Sequence, residues 1–380
     1  FPKSFLPKTW KAARFKKGIS YEEAFLTQSD AQYSVDWLRQ YGHGNDARNY
    51  CEPISIVWNE EAKLYDVVLV DHITKNEFNL QTKHIVNCCG VWADEVNQRF
   101  SINTKYCHHL SKGVYLLLEK QDREEALVVD MEEYGDTLCW VPWGPAVMWG
   151  PTETDLGDLQ KIEVNVDDVQ FLLAKLNSNS TKVWTESDIQ NVRVGVRPLP
   201  KLPDQKVSYS LDLSRKAIIE PAPNNQWWSI FGGKLSGGYD LSRQVYEKIF
   251  NEKPSHLKSW KVIDAEFITH LFDGNKIKSP LWCKNEEHVF YLEDFLRRRT
   301  NIAQWVPRSG FGRNAEFAED IYQLALLIHQ DESLAKQDYN TYKDKILKSE
   351  QSWKSPQFWE DLPQLDAIKV SLKSANAGLI

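Results

Sequence analysis

The stretch that decides the fold is Trp227-Trp228-Ser229-Ile230-Phe231-Gly232-Gly233-Lys234. Its apolar start predicts a buried strand over Trp227–Phe231. The glycine pair then predicts a turn into a helix that covers about Asp240–Phe250. Free amides at a helix start favour an anion or a carbonyl oxygen, and Lys234 adds a cation there. From these residues alone, two interpretations stay open: a ligand-binding turn, or a turn whose glycines serve only packing.

A second segment of the same type lies upstream. Lys83 to Gly90 predicts a short strand that ends on glycine, and Val91 to Phe100 predicts the helix that follows. Strand, glycine and helix in this order are the local geometry of a ligand-binding crossover in an open α/β sheet. The residues before it predict a helix over Asp30–Tyr41 and an antiparallel meander of strands over Ile54–Trp58, Leu64–Asp71 and Phe78–Thr82.

Strands dominate the middle of the chain, and helices dominate its end. The pattern predicts a strand over Gly113–Leu118, a helix over Asp167–Asn177, and a strand over Gln190–Val196 that stops at Arg197-Pro198. A hairpin is predicted from Leu138–Trp143 and Val147–Gly150. After Pro254, three helical patterns predict a separate, mainly helical domain; they cover Val289–Arg299, Phe317–Gln330 and Asp338–Lys348.

Two arginines are candidates for anion binding. Arg197 precedes a proline, which places it in extended backbone. A guanidinium suits two-pronged binding of a phosphate or carboxylate, although a surface ion pair is its commoner use. Arg215 comes just before a predicted strand over Ala217–Glu220. In an extended chain Arg215 and Lys216 point to opposite sides, so only one of them can face a given site.

Composition excludes several classes of protein. The chain has 380 residues, 53 acidic and 46 basic, for a net charge of −7. That balance argues against nucleic acid as a partner. No run of about 18 apolar residues predicts a membrane span. The absence of Cys-x-x-Cys and His-x-x-x-His argues against a structural zinc site. Residues 1–18 are basic and aromatic, so they suit either an anionic membrane surface or a solvated segment.

Taken together and in order, several motifs resemble the FAD-dependent glycerol-3-phosphate dehydrogenase family. The segments that carry the resemblance are Ile85-Val86-Asn87-Cys88-Cys89-Gly90-Val91-Trp92-Ala93-Asp94, Ser111-Lys112-Gly113, Val141-Pro142-Trp143, Gly150-Pro151-Thr152-Glu153, Gly195-Val196-Arg197-Pro198-Leu199, Gly232-Gly233-Lys234-Leu235 and Leu292-Glu293-Asp294-Phe295-Leu296-Arg297-Arg298-Arg299-Thr300. The resemblance extends from about residue 20 to 330.

The resemblance implies a fold of the class α/β plus α. Residues 1–104 would form part of a glutathione-reductase-type FAD-binding domain, to which the chain returns over residues 224–252. Residues 105–223 would form a substrate domain with a mixed sheet, and residues 253–380 an all-α C-terminal domain.

The resemblance also implies an activity: oxidation of sn-glycerol 3-phosphate to dihydroxyacetone phosphate, with electrons passed to quinone. FAD is the implied cofactor. Arg197, Arg215 and Lys234 are the implied catalytic residues, the two arginines on the substrate and Lys234 beside the flavin. The implied cofactor-binding residues are Gly90, Gly232, Gly233, Lys234, Leu235 and Ser236. The implied location is peripheral, on the inner mitochondrial membrane or a bacterial plasma membrane.

The family's Gly-x-Gly-x-x-Gly fingerprint does not occur in the chain, and the family's Ser-His after Ser111-Lys112-Gly113 reads Val114-Tyr115. Two interpretations follow. In the first, the protein is a working flavoenzyme whose N-terminal segment precedes Phe1 or belongs to another polypeptide, so these residues alone would hold FAD weakly. In the second, it is a degenerate family member that serves as an accessory subunit of a membrane respiratory complex.

Overall fold

The computed structural model describes residues 30–41, 47–120, 126–130, 137–254 and 264–365. Its strands are β1 Cys51–Asn59, β2 Leu64–Asp71, β3 Glu77–Thr82, β4 Ile85–Asn87, β5 Cys107–Glu119, β6 Leu127–Asp130, β7 Thr137–Trp143, β8 Ala146–Gly150, β9 Thr154–Leu156, β10 Ile189–Lys201, β11 Ile218–Pro221, β12 Trp227–Phe231, β13 Phe267–Ile268 and β14 Ile277–Lys278.

The α-helices are α1 Asp30–Tyr41, α2 Ala93–Arg99, α3 Val166–Asn179, α4 Gly238–Phe250, α5 Pro280–Glu287, α6 Ile302–Trp305, α7 Ala318–His329 and α8 Glu332–Trp353. A π-helical segment covers Asp294–Arg299, and 3-10 turns precede α2 at Gly90–Trp92 and α4 at Leu235–Gly237. The basic segment over residues 1–18 lies outside the described residues.

Two small sheets share a core; they combine strands β1 to β4 with β11 and β12 from later in the chain. Strands β1, β2 and β3 form the predicted antiparallel meander. Strand β12 pairs with β4 in parallel and with β11 in antiparallel orientation. Tyr65 and Val67 of β2 are buried with Trp227 of β12 between the sheets. Burial of these large apolar side chains fixes the meander against the parallel strands.

The middle of the chain forms a larger sheet in the order β10-β5-β8-β7-β6, with β9 paired to β5. Helix α3 covers one face of this sheet, where Val114 and Leu116 pack with Val169 and Leu172. The helix starts at a capping box, because the Asn165 side chain accepts a hydrogen bond from the Asp168 amide and the Asp168 carboxylate accepts one from the Asn165 amide. The opposite face of β5 and β10 is therefore the one left for other contacts.

The prediction that a strand stops at Arg197-Pro198 is wrong. Strand β10 continues to Lys201, with Pro198 opposite Leu110 and Pro200 opposite His108. It lies at the edge of its sheet. An edge strand has one side without a sheet neighbour, so it tolerates prolines, which lack an amide N–H.

Residues 264–365 are mainly helical, as predicted, but they also contain the short antiparallel pair of β13 and β14, so they are not all-α. Helices α5, α7 and α8 and the π-helical segment surround a core that includes Phe295, Phe311, Ile321 and Tyr339. This core is joined to the large sheet by the side chain of Asn191. Its Nδ2 donates to the carbonyl oxygens of Gln304 and Val306, and its Oδ1 accepts from the backbone amide of Ser309. Within the described residues, the structure contains no helix that combines the length and apolar character needed to cross a bilayer.

Candidate active site

Two glycine turns emerge side by side from the parallel strands β4 and β12. Val86 lies opposite Trp228 and Asn87 opposite Ser229, so both strands end at the same edge. The backbone then turns through left-handed φ angles of +57° at Gly90, +65° at Gly232 and +94° at Gly233. The carboxyl edge of parallel strands is where open α/β sheets bind ligands.

A buried polar network holds the two strand ends together. Asn87 Nδ2 donates to Asn97 Oδ1 over 2.8 Å and to the Ala93 carbonyl oxygen over 2.9 Å. Asn97 Oδ1 also accepts from Ser229 Oγ at 3.0 Å and from Trp227 Nε1 at 3.2 Å. Hydrogen-bonded polar groups in a low-dielectric interior favour one arrangement, and in this network Asn97 Nδ2 is the atom buried without a partner among the described residues. The network thus fixes the relative position of the turns.

The glycines of the two turns serve different purposes. A Cβ at Gly90 would meet no atom within 4 Å, so the backbone is open there. A Cβ at Gly232 would lie 2.8 Å from Pro200 Cδ and 3.0 Å from the Lys216 carbonyl oxygen, so this glycine is needed for packing against β10. At Gly233 the nearest atom would be Ala217 Cβ, at an ordinary 3.4 Å.

The His108 side chain holds the glycine turn at Gly232 in place. The Gly232 amide donates to His108 Nε2 over 3.3 Å. Because Nε2 accepts, Nδ1 carries the ring proton and donates to Asp94 Oδ2 at 3.2 Å. The Asp94 carboxylate also accepts from the His108 amide at 2.8 Å. The turn at Gly232 is therefore tied to α2 through a buried imidazole.

The residues after the glycine pair face solvent. Lys234, Leu235 and Ser236 are exposed. Neither Lys234, which precedes the 3-10 turn, nor Gly237, which precedes α4, supplies a side-chain cap. The start of α4 therefore offers amide donors beside the Lys234 cation.

The face of the large sheet opposite α3 carries a row of basic residues. Arg193, Gly195 and Arg197 alternate along β10 and so share one face. Tyr115 pairs with Arg193, and Ser111 with Arg197, so they lie on that face as well. A Cβ at Gly195 would meet no atom within 4 Å, which leaves open space between the two arginines.

Arg197 is held in place by an ion pair. Its Nη1 lies 2.8 Å from Glu153 Oε2, and Ser111 Oγ donates to Glu153 Oε1. The guanidinium lies over Gly113, where a Cβ would be only 2.8 Å from Arg197 Nη2. Glu153 occupies the Nη1 edge, so the remaining donors of the planar fork can bind an anion.

Tyr115 lies within electrostatic range of three arginines. Burial raises the pKa of its hydroxyl, and the proximity of Cys139 adds to this; the positive charges of Arg197, Arg193 and Arg215 act on the same pKa in the opposite direction. Arg215 itself is exposed. The Tyr115 hydroxyl therefore stays protonated in a positive environment and can donate a hydrogen bond.

Lys112 belongs to the opposite face. Its Nζ lies 2.6 Å from Asp168 Oδ2, and the two side chains are each 6% exposed. It also donates to the Glu163 carbonyl oxygen at 3.2 Å. In the Ser111-Lys112-Gly113 motif, Lys112 therefore anchors α3, while its neighbours support Arg197.

The structure places the predicted residues in two groups along β10. The turns that contain Gly90 and Gly232–Ser236 lie against the end of this strand, through Pro200 and through contact with the 3-10 turn at Gly90–Trp92. Arg197 lies three residues earlier, about 10 Å along the strand, and Arg215 lies close enough to affect the Tyr115 hydroxyl.

Several residues of the site were missed at the sequence level. Arg193 and Gly195 could have been found, because Arg-x-Gly-x-Arg at strand periodicity puts both arginines on one face. Tyr115, Glu153 and the His108–Asp94 pair reach the site only through sheet pairing and helix packing. No local pattern indicates these contacts.

This chain resembles known proteins over much of its length. Residues 6–233, more than half of the chain, match the FAD dependent oxidoreductase family. The aerobic glycerol-3-phosphate dehydrogenase of Staphylococcus aureus (strain USA300) is 23% identical over 238 residues, which cover 61% of this chain and 42% of that protein. The chain thus spans less than half the length of this curated relative.

A solved structure shows the same fold. The glycerol-3-phosphate dehydrogenase from Bacillus halodurans, complexed with FAD, superposes with a TM-score of 0.63 at 16% identity, over 87% of this chain and 74% of that one. The chain has the flavoprotein fold with mixed sheets and helices, and it belongs to the FAD-dependent oxidoreductase family.

Proposed function

We propose that the protein oxidises sn-glycerol 3-phosphate to dihydroxyacetone phosphate with FAD as cofactor. The observation that carries the proposal is the face of β10 and β5 on which Glu153 holds Arg197 and which also carries Tyr115. The positive charges of Arg197 and Arg215 both act on the pKa of the Tyr115 hydroxyl. The second glycine turn packs against Pro200, near the end of the same strand. The names of the relatives, both glycerol-3-phosphate dehydrogenases, support the choice of substrate.

The turns fit one part of a flavin site. Gly90 leaves its backbone open, and the exposed start of α4 offers amide donors with Lys234 beside them. Trp228 Nε1 is buried without a hydrogen-bond acceptor among the described residues. Gly232 does not contribute an amide, because its N–H is taken by His108. We therefore assign the direct flavin contacts to Gly90, Gly233, Lys234, Leu235 and Ser236, and a supporting role to Gly232.

The chain's own residues bind and orient the substrate. Arg197 offers its free guanidinium donors to the phosphate, while Glu153 and Gly113 fix the side chain. Arg215, which is exposed and lies just before β11, supplies a second ligand for the phosphate. A bound flavin would supply the acceptor for the hydride at C2 of the substrate. The ammonium of Lys234 stabilises negative charge at that end of the site.

The domain assignment belongs to the same proposal. Residues 1–104 and 224–252 form part of an FAD-binding domain, residues 105–223 a substrate domain, and residues 253–380 a helical C-terminal domain. The pairing of β11 with β12 adds residues 218–221 to the sheet of the first domain.

Quinone as electron acceptor and peripheral attachment to a membrane complete the proposal. The comparisons do not support the alternative of a non-catalytic accessory subunit, since the relatives are named as dehydrogenases.

The full-length protein tests this proposal. Purified from its native source, it should absorb in the visible blue and reduce a quinone dye when glycerol 3-phosphate is added. Arg197→Ala should raise KM for glycerol 3-phosphate by about 10- to 100-fold, as expected for the loss of a charge-assisted hydrogen bond. Arg243→Ala, which removes an exposed helix ion pair, is the matched control. A colourless full-length protein would refute the enzyme assignment, and an unchanged KM would refute the role of Arg197.

A further inference from the structure

A cavity lies between the large sheet and the helical end of the chain, away from the glycine turns. It has a volume of about 40 Å³, about three times what one water requires. Its lining combines β10, the π-helical segment, α6 and α8. The polar residues that line it are Arg193, Glu293, Arg297, Gln304, Ser309, Tyr342 and Lys345. The floor is buried at Ala303 and Tyr342, and the rim is exposed at Arg297 and Lys345.

The charge of this cavity is unbalanced. Its carboxylate, Glu293, is already neutralised by Lys345 Nζ at 2.5 Å and by Arg298 Nη2 at 3.3 Å. Among the residues that the structure describes, neither Arg193 nor Arg297 forms an ion pair with a carboxylate within 4 Å. Arg297 lies within electrostatic range of Glu293, and Arg193 within range of Asp30, but among the described residues neither guanidinium has a carboxylate within ion-pair distance.

Arg193 is the more constrained of the two. Burial lowers the pKa of its guanidinium, and the positive charge of Arg297 lowers it further; Asp30 and Tyr115 act in the opposite direction. Its remaining contacts are weak, with Nη1 3.8 Å from Met148 Sδ and the guanidinium carbon 5.4 Å from the centre of the Trp143 ring. A buried charge is costly when its hydrogen bonds are unmade, so these donors are available to a ligand.

Gln304 adds a polar group that is also available. Its Oε1 is buried without a hydrogen-bond partner among the described residues. Because the two ends of an amide side chain can exchange by rotation, Gln304 can present its NH₂ to an acceptor in the cavity. Tyr342 is committed instead, since its hydroxyl donates to the Ser309 carbonyl oxygen at 2.7 Å.

We propose that this cavity binds a phosphate group, held between Arg193 of the sheet and Arg297 of the π-helical segment. A phosphate dianion matches the two unpaired positive charges, and planar guanidiniums bind its oxygens in pairs. The ligand joins the large sheet to the helical end, so its binding stabilises their contact. Inorganic phosphate and a phosphate monoester share this chemistry, and the test separates them.

Thermal unfolding of the full-length protein tests the proposal, with inorganic phosphate as the titrant at constant ionic strength. To remove binding at the proposed substrate site, the measurement uses Arg197→Gln as the background. Phosphate should raise Tm by about 2–4 °C with saturation. Adding Arg297→Gln should abolish the saturable rise, whereas adding Lys161→Gln, an exposed lysine with the same charge change, should preserve it. A parallel titration with glycerol 3-phosphate shows whether the cavity prefers the monoester.

Two results would overturn the proposal. One is the absence of a saturable rise in the Arg197→Gln background. The other is a rise that persists unchanged with Arg297→Gln. Isothermal titration calorimetry provides a second readout, since the Arg197→Gln protein should bind one phosphate per chain and the double variant none. Failure here leaves the proposed oxidation of glycerol 3-phosphate untouched, because that proposal is tested by the flavin band and by KM.

Discussion

The backbone amide of Gly232 donates to Nε2 of His108 across 3.3 Å, and the same imidazole contacts Asp94 through Nδ1 at 3.2 Å. The His108 side chain is fully buried. One turn of the candidate flavin site is thus held by a histidine on the large sheet and a carboxylate on α2. The contact makes the shape of the turn depend on how the two sheets are packed.

Replacing this histidine should loosen the turn and destabilise the protein. His108→Ala leaves the Gly232 amide and part of Asp94 without a buried partner, so the free energy of unfolding should fall by about 1–3 kcal/mol. Urea unfolding at neutral pH measures the loss. His72→Ala is the matched control, because the side chains of His72 and its partner Glu52 are 46% and 44% exposed; its cost should stay below about 1 kcal/mol. Equal losses would contradict the special role of His108.

The buried pair between Lys112 and Asp168 should matter far more for stability than a surface pair. Lys112→Met leaves the Asp168 carboxylate buried and uncompensated, so unfolding should become easier by about 3–5 kcal/mol. Lys182→Met, which breaks the exposed pair with Asp188, should cost about 0–1 kcal/mol. Urea unfolding compares the two variants. A small loss at Lys112 would show that α3 does not depend on this anchor.

Two glycines on the same sheet face should respond differently to an added methyl group. Gly113→Ala places a Cβ 2.8 Å from Arg197 Nη2, so the guanidinium must move. Gly195→Ala, directly opposite, meets no atom within 4 Å. We expect KM for glycerol 3-phosphate to rise by about 10-fold or more in Gly113→Ala, since small misplacements of a binding group are costly.

Steady-state kinetics of the full-length enzyme measures this difference. The Gly195→Ala variant controls for the loss of backbone freedom, because both glycines lie in paired strands. A larger effect at Gly195 than at Gly113 would mean that the substrate occupies the open space above Gly195, and that Arg197 is not the group displaced.

Tyr339 should contribute to unfolding at alkaline pH. Burial raises the pKa of its hydroxyl to about 12. A tyrosine in the unfolded chain titrates near pH 10, so the folded state resists ionisation. The resulting stability is fully present below about pH 10 and is lost as pH rises toward 12, a total of about 2–3 kcal/mol.

The comparison of Tyr339→Phe with the wild-type protein measures the contribution of Tyr339 to the alkaline loss of stability. Urea unfolding at pH 8 and at pH 11 should show a smaller alkaline loss of stability in the variant. Tyr239→Phe, at a tyrosine that is 44% exposed, should leave the alkaline loss unchanged. If the Tyr339 and Tyr239 variants behave alike, burial of the Tyr339 hydroxyl does not govern alkaline unfolding.

The sequence by itself determined the elements whose pattern is local. The strand over Trp227–Phe231, the strand over Leu64–Asp71 and the helix over Asp30–Tyr41 have the predicted bounds. Each has a side-chain periodicity and an end signal within a few residues, such as the glycine pair after Phe231. The order of the motifs was also enough to indicate an FAD-dependent oxidoreductase, and the family match over residues 6–233 confirms this.

Tertiary structure alone decided what each residue does. Arg197 was predicted at the end of a strand, but it lies inside β10, because an edge position lets the strand continue through two prolines. The pairing of Gly113 with Gly195 makes room for its guanidinium, and Glu153 on the next segment holds it. His108 and Gly232 are 124 residues apart in sequence. Contacts at that separation are set by the packing of whole sheets, which local periodicity does not encode.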